Sequence, residues 1–161
     1  MTTSVIIPTK NEVVGVKEIL TKVDREWAEE WFLIDGNSTD GTIQEANNLG
    51  FEVVQQTGKG LSNAYREGVN HASGENILFF SPDGNAEPND IPKLIKKISD
   101  ENCDIVQISR FGKNGVSEDD TIITAFGNRM FTFLVNVFFG GKLTDSLFGF
   151  KIIKKDVFIN L

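Results

Sequence analysis

The sequence predicts an α/β fold: a mostly parallel sheet with helices on both faces. Short runs of β-branched and aromatic residues alternate with helix-length amphipathic runs from the first residues onward. Turn residues punctuate them at Pro8, Asp35-Gly36-Asn37, Gly50, Gly74 and Ser81-Pro82-Asp83-Gly84. A repeated strand–helix–strand order implies right-handed crossovers that lay helices against the sheet.

Ser4 to Ile7 reads as the first strand, stopped by Pro8. Val13 to Val23 sets Val16, Ile19, Leu20 and Val23 on one helical face. Trp31 to Ile34 is the second strand, and Asp40 or Thr39 can cap a helix running to about Asn48. Phe51 to Val54, Asn76 to Phe80 and Ile105 to Ser109 are the next strands. Leu61 to Ala72 and Pro88 to Ile98 are the helices between them. Without an internal repeat, low-complexity tract or linker, residues 1–161 are expected to form one domain.

The chain has 161 residues, with 40 % apolar and 24 % charged, ordinary values for a globular protein. Its 23 acids against 16 bases give a formal charge of −7. Phosphate affinity comes from clustered Lys and Arg, so this balance speaks against nucleic-acid binding. It does not exclude a nucleotide, which needs only a local site. The single cysteine, Cys103, excludes an internal disulfide and fits a reducing compartment. No signal peptide is visible, and no run reaches the roughly 18 apolar residues of a membrane span. A soluble, cytoplasmic protein is expected.

Ligands of open α/β sheets sit at the carboxyl ends of the strands. Those ends here are Pro8 to Glu12, Asp35 to Thr42, Ser81 to Glu87 and Ser109 to Phe111, all polar and several acidic. The sequence lacks both GxGxxG and a P-loop, so a Gly-rich cradle for phosphates is not expected. The other way to hold a diphosphate is a divalent cation on hard oxygen ligands. Asp83 and Asn85 can supply such ligands from one turn, although an Asp-Gly turn leading into the next helix explains them equally.

The blocks SVIIPTKNE, IDGNSTDGT and GKGLSNAYREGVNHASGENILFFSPDGNAEPNDIP follow one another in order, and TDSLFGFKIIKKDVF comes later. Together they resemble family 2 glycosyltransferases of the GT-A, Rossmann-like fold, nearest the dolichol-phosphate mannosyltransferase and polyprenyl-phosphate branch. The resemblance covers essentially the whole chain and implies a nucleotide-sugar-binding domain that ends sooner than the family pattern. It implies base and ribose contacts from Pro8, Thr9, Asn11, Glu12 and Asp35, and phosphate contacts from Lys59 and Arg66. It places the metal and sugar diphosphate at Asp83. The family's Asp-x-Asp reads Ser81-Pro82-Asp83 here. Gly36 follows Asp35 where a second acid is usual, and Lys10 stands where Tyr is common.

The implied reaction is inverting sugar transfer from a GDP- or UDP-sugar donor, assisted by Mg²⁺ or Mn²⁺, to an acceptor such as a polyprenyl phosphate. An anionic acceptor needs no strong base, whereas an alcohol needs a carboxylate. Asp145, Asp119 and Asp120 are the candidates, each with a plain reading as a helix cap or solvated acid. Arg110 suits an acceptor phosphate, because guanidinium pairs with it bidentately. On a helix from Phe126 to Phe139, Asn128, Arg129, Thr132 and Asn136 form one polar arc and aromatics cover the rest. Burial of that apolar face in a core is the first expectation. Peripheral contact with the inner face of a membrane, or with a lipid tail, is the second. A nucleotidyltransferase and a non-catalytic nucleotide-sugar-binding module are the rival readings.

Overall fold

The computed structural model describes residues 1–110, 122–140 and 142–160. These form two compact units, Met1–Val106 with Phe150–Leu161, and Gln107–Gly149.

In the first unit, β1 (Thr3–Thr9), β2 (Glu30–Asp35), β3 (Glu52–Gln55) and β4 (Asn76–Phe79) run parallel, as the alternating pattern predicts. β5 (Ile105–Gln107) and β6 (Lys151–Lys154) extend the sheet to the order β3-β2-β1-β4-β6-β5. β6 is antiparallel to β4. The sequence reading missed this strand, because two isoleucines between lysines form too short a run to stand out.

The chain moves outward from β1 to β2 and β3, then crosses back to place β4 on the other side of β1. This reversal opens a crevice between the carboxyl ends of β1 and β4. Contrary to the sequence reading, Pro8 lies within β1. Ile6 O accepts from Phe80 N and Thr9 O from Gly36 N, so alternate residues of β1 face β4 and β2. By that alternation Pro8 faces the β4 side, where pairing has already ended at Ile6 opposite Phe79. A residue without an N–H loses nothing there.

The connections are α1 (Val13–Ile19), α2 (Thr42–Asn48), α3 (Leu61–His71) and α4 (Ile91–Asp100), and α6 will denote Lys155–Ile159. One sheet face, with Ile6, Phe32, Ile34, Ile77, Phe79 and Ile153, packs against Ala64 and Val69 of α3, with Val157 and Phe158 of α6 against the cluster. Gly68 permits the approach of α3, since a Cβ there would lie 2.6 Å from Ile6 Cγ2. Side chains alternate along a strand, so Val5, Ile7, Leu33, Leu78 and Ile152, also fully buried, belong to the opposite face. Each such side chain contributes about 1.5–3 kcal/mol on leaving water. The sequence reading extended the first helix to Val23. α1 instead tightens into a 3₁₀ turn at Leu20–Lys22, still burying Val16 and Leu20.

The second unit is built on α5 (Ile122–Phe139). Its polar arc turns inward: Asn128 and Thr132 are buried, and Asn136 exchanges hydrogen bonds with the backbone of Leu143. Its apolar side turns outward, with Phe133 64 % and Phe138 76 % exposed. The first expectation for this helix, burial of the aromatic face, is therefore reversed. The polar arc finds specific hydrogen-bond partners among residues 142–149, and Phe126, Phe131, Phe133 and Phe138 are exposed.

Candidate functional site

The loops after β1 and β2 are stitched to each other by their own hydrogen bonds. Asp35 ends β2 fully buried, accepting from Thr9 Oγ1 at 3.0 Å, Ser38 N at 2.8 Å and Ser38 Oγ at 2.6 Å. Asn11 receives Thr39 N at 2.9 Å on its side-chain oxygen, while its own N–H donates to Ser38 Oγ at 2.8 Å. Asn11 and Asn37 hold the left-handed conformation, with φ of 57° and 63°, which asparagine tolerates better than other side chains. Asp35 and Asn11, both anticipated as ligand contacts, are thus engaged in shaping the loops. Neither Asp40 nor Thr39 is the N-cap of α2, which is Gly41 without a side-chain cap; Asp40 instead accepts from Val13 N at the start of α1 and from Thr42 N at the start of α2.

A cavity of about 470 Å³ opens where these loops meet the turn after β3. Pro8, Thr9 and Lys10 line it from the first loop, Gly36 and Asn37 from the second, and Gln56, Gly58, Lys59 and Gly60 from the third. Leu61 and Ala64 of α3 complete the wall. Glu67 fastens the third turn by accepting from Thr57 N and Gly58 N, and Gln56 Nε2 donates to Gly60 O at 2.8 Å. Of the anticipated donor residues, Pro8, Thr9 and Lys59 are brought together here. Arg66 is not: it is exposed on α3, about 200° around the helix from Ala64. Gln56 and Gly60 follow β3, outside the four strand ends whose acidic and polar residues stand out in the sequence.

Asp83 is exposed in the turn after β4, where its Oδ1 accepts from Asn85 N at 3.0 Å. Gly15 of α1 lies against this turn so closely that a Cβ would stand 1.9 Å from the Pro82 carbonyl oxygen. Partial burial first, then the charges of Asp83 and Asp40, raise the pKa of Glu12 above the ordinary glutamate value. This patch is therefore electronegative at the crevice end of β1 and β4. Among the described residues no three acidic, histidine or cysteine side chains converge as a closed metal cage. That donor set fits an ion completed by substrate phosphates, the usual way Mg²⁺ is held on one or two carboxylates.

In the second unit, Asp145 is 2 % exposed. Its Oδ2 accepts from Arg110 Nε at 2.9 Å, and its Oδ1 from Arg110 Nη2 and Asn128 Nδ2, each at 3.3 Å. Leu147 N and Phe148 N add two bonds to Oδ1 at 3.2 Å each. The Arg110 guanidinium also stands 5.0 Å from the Phe148 ring centroid. Burial pushes the Asp145 pKa up, but Arg110 and Asn128 outweigh it and hold the carboxyl below its usual value. Asp119 and Asp120 lie outside the described residues.

Residues 4–161 match the family described as glycosyl transferase family 2. Glycosyltransferase AglJ of Haloferax volcanii is 29 % identical over 160 residues, spanning 98 % of this chain and 52 % of AglJ. A dolichol-phosphate mannosyltransferase of Pyrococcus furiosus is 35 % identical over 127 residues, spanning 74 % of this chain and 36 % of that protein. The chain thus covers about half, or less, of the length of these relatives. Among solved structures, glucosyl-3-phosphoglycerate synthase of Mycobacterium tuberculosis with Mn²⁺ and UDP-glucose superposes with a TM-score of 0.80 at 21 % identity. That match covers 99 % of this chain and 58 % of the synthase. The fold is GT-A.

Proposed function

Because the chain belongs to glycosyl transferase family 2, we propose that it supplies the donor half of an inverting sugar transfer from a UDP- or GDP-sugar. The observation that carries this reading is the cavity at the ends of β1, β2 and β3, with the electronegative Asp83 turn on the same sheet edge. In this reading the nucleoside lies against Pro8, Thr9, Lys10 and Gly36, and Lys59 meets phosphate. Asp35 and Asn11 keep those loops in shape, and Glu12 contributes at the crevice end. Asp83, with Asn85 beside it, would hold a Mg²⁺ or Mn²⁺ ion, which would supply positive charge to the leaving diphosphate. The Mn²⁺ in the solved synthase supports this assignment.

The acceptor groups are assigned to the second unit. Both Asp145 oxygens are already engaged, so Asp145 is proposed to orient Arg110 and the 145–148 turn, with no role as a general base. A lipid phosphate acceptor is supported by the mannosyltransferase relative and by the outward apolar face of α5. No helix among the described residues is long and apolar enough to cross a membrane, so the contact proposed is peripheral, at the inner face.

Calorimetry with UDP and GDP, with and without Mn²⁺, tests the donor site. Mn²⁺ should tighten binding of one nucleotide at least about tenfold, or 1.4 kcal/mol. Asp83→Ala should remove that gain and Ser81→Ala should keep it. Metal-dependent binding that survives Asp83→Ala would overturn the assignment, and donor binding without hydrolysis or transfer would favour a binding module.

A further inference from the structure

Lys151 opens β6 directly opposite Phe79, the last residue of β4. Its Cα therefore stands at the sheet edge from which the Ser81–Asn85 turn departs. Opposed residues in an antiparallel pair project to the same face, which puts Lys151 on the side of Phe79 and α3. The Tyr65 ring lies 4.2 Å from the Phe79 ring on that side. Tyr65 is also near enough to Asp83 that this carboxylate, after burial, raises the phenol's pKa. Register and ring packing thus connect Lys151 to Phe79 and Tyr65, and Phe79 leads within two residues into the turn that carries Asp83.

Lys151 is only partly exposed, and burial alone lowers the pKa of its ammonium. Among the described residues no carboxylate pairs with it. Other lysines of the same unit are served: Lys154 meets Asp104 at 3.0 Å, Lys93 meets Asp90 at 2.6 Å and Lys155 donates to Ala72 O at 2.6 Å. A cation taken partly out of water without an anion costs stability. Its position beside the turn proposed to carry the donor's diphosphate points to what would compensate it.

We propose that Lys151 is a binding residue for the donor's diphosphate, placing a positive charge on the α3 side of the Asp83 turn. This rests on the donor-site reading above. A lysine suits the task, being a compact charge on a flexible stem that can follow a phosphate oxygen.

The test titrates UDP and GDP, and the matching free nucleosides, into wild type, Lys151→Met and Lys151→Arg, all with Mn²⁺. Lys151→Met should weaken the bound diphosphate about tenfold or more and leave the nucleoside unchanged, while Lys151→Arg restores most of the loss. The melting temperature of Lys151→Met should equal or exceed that of wild type, since a partly buried charge without a carboxylate partner among the described residues is removed. Unchanged diphosphate affinity in Lys151→Met overturns the proposal while the donor site stands. Equal losses for nucleoside and diphosphate overturn it too, because they report a distorted cavity. A wild type that binds neither diphosphate overturns the donor-site reading, and this inference with it.

Discussion

Replacing Asp145 with Asn keeps the size of the side chain but puts a donor amide where Arg110, Asn128, Leu147 and Phe148 all donate. It also removes the carboxylate that Arg110 Nε meets at 2.9 Å. Breaking one half of a buried ion pair costs about 3 kcal/mol, so Asp145→Asn should lower the urea midpoint markedly. The pH dependence follows from the lowered pKa. Below the ordinary aspartate value, about 3.9, the unfolded chain takes up this proton before the folded one does. The stabilisation is therefore complete above that value and is lost as pH falls through the lower folded pKa. Urea midpoints of wild type and Asp145→Asn should converge in acid; curves that stay parallel would remove Asp145 from this role. At this scale the sequence shows which residues are chemically capable and not which way they are spent. Asp35 and Asn11 were legible as important polar residues at strand ends. That their oxygens are taken by Thr9, Ser38 and Thr39 depends on loops brought together only in the fold.

Gly15 shows the same limit for whole elements. Within Val-Val-Gly-Val a glycine costs a helix about 1 kcal/mol relative to alanine, and α1 offers no local reason for it. The reason is the Pro82 carbonyl, which occupies the place of a Cβ. Gly15→Ala should therefore destabilise by about 1–3 kcal/mol through overpacking, despite the better helix propensity. It should also weaken Mn²⁺-dependent nucleotide binding by displacing the Asp83 turn, measured by melting and calorimetry together. A stabilised variant with intact binding would show that α1 and the turn do not press on each other. The strands of the parallel half were legible because continuous apolar runs such as FLI and VII signal burial on both faces. β6 was not, since its two central isoleucines acquire meaning only by pairing with β4.

At the scale of the molecule, every residue assigned to the donor belongs to the first compact unit, and α5 with its outward aromatics belongs to the second. Phe133→Glu combined with Phe138→Glu should therefore leave UDP or GDP affinity unchanged. It should reduce co-sedimentation with vesicles carrying a polyprenyl phosphate by several-fold, because apolar area is what an interfacial helix inserts. Equal sedimentation of the double variant would detach the aromatic face from any lipid role. The sequence showed the helix and its polar arc but not their orientation, which is decided by partners such as Ser146 and Leu143. β5 and β6 are neighbours in the sheet, so the chain leaves and re-enters the first unit by adjacent strands. The intervening stretch is in effect an insertion clamped at its base, and doubling the length of a flexible insertion costs only about 0.6 kcal/mol. Under the proposed assignment of the acceptor groups to this insertion, its length can change at little cost to the sheet that carries the donor cavity.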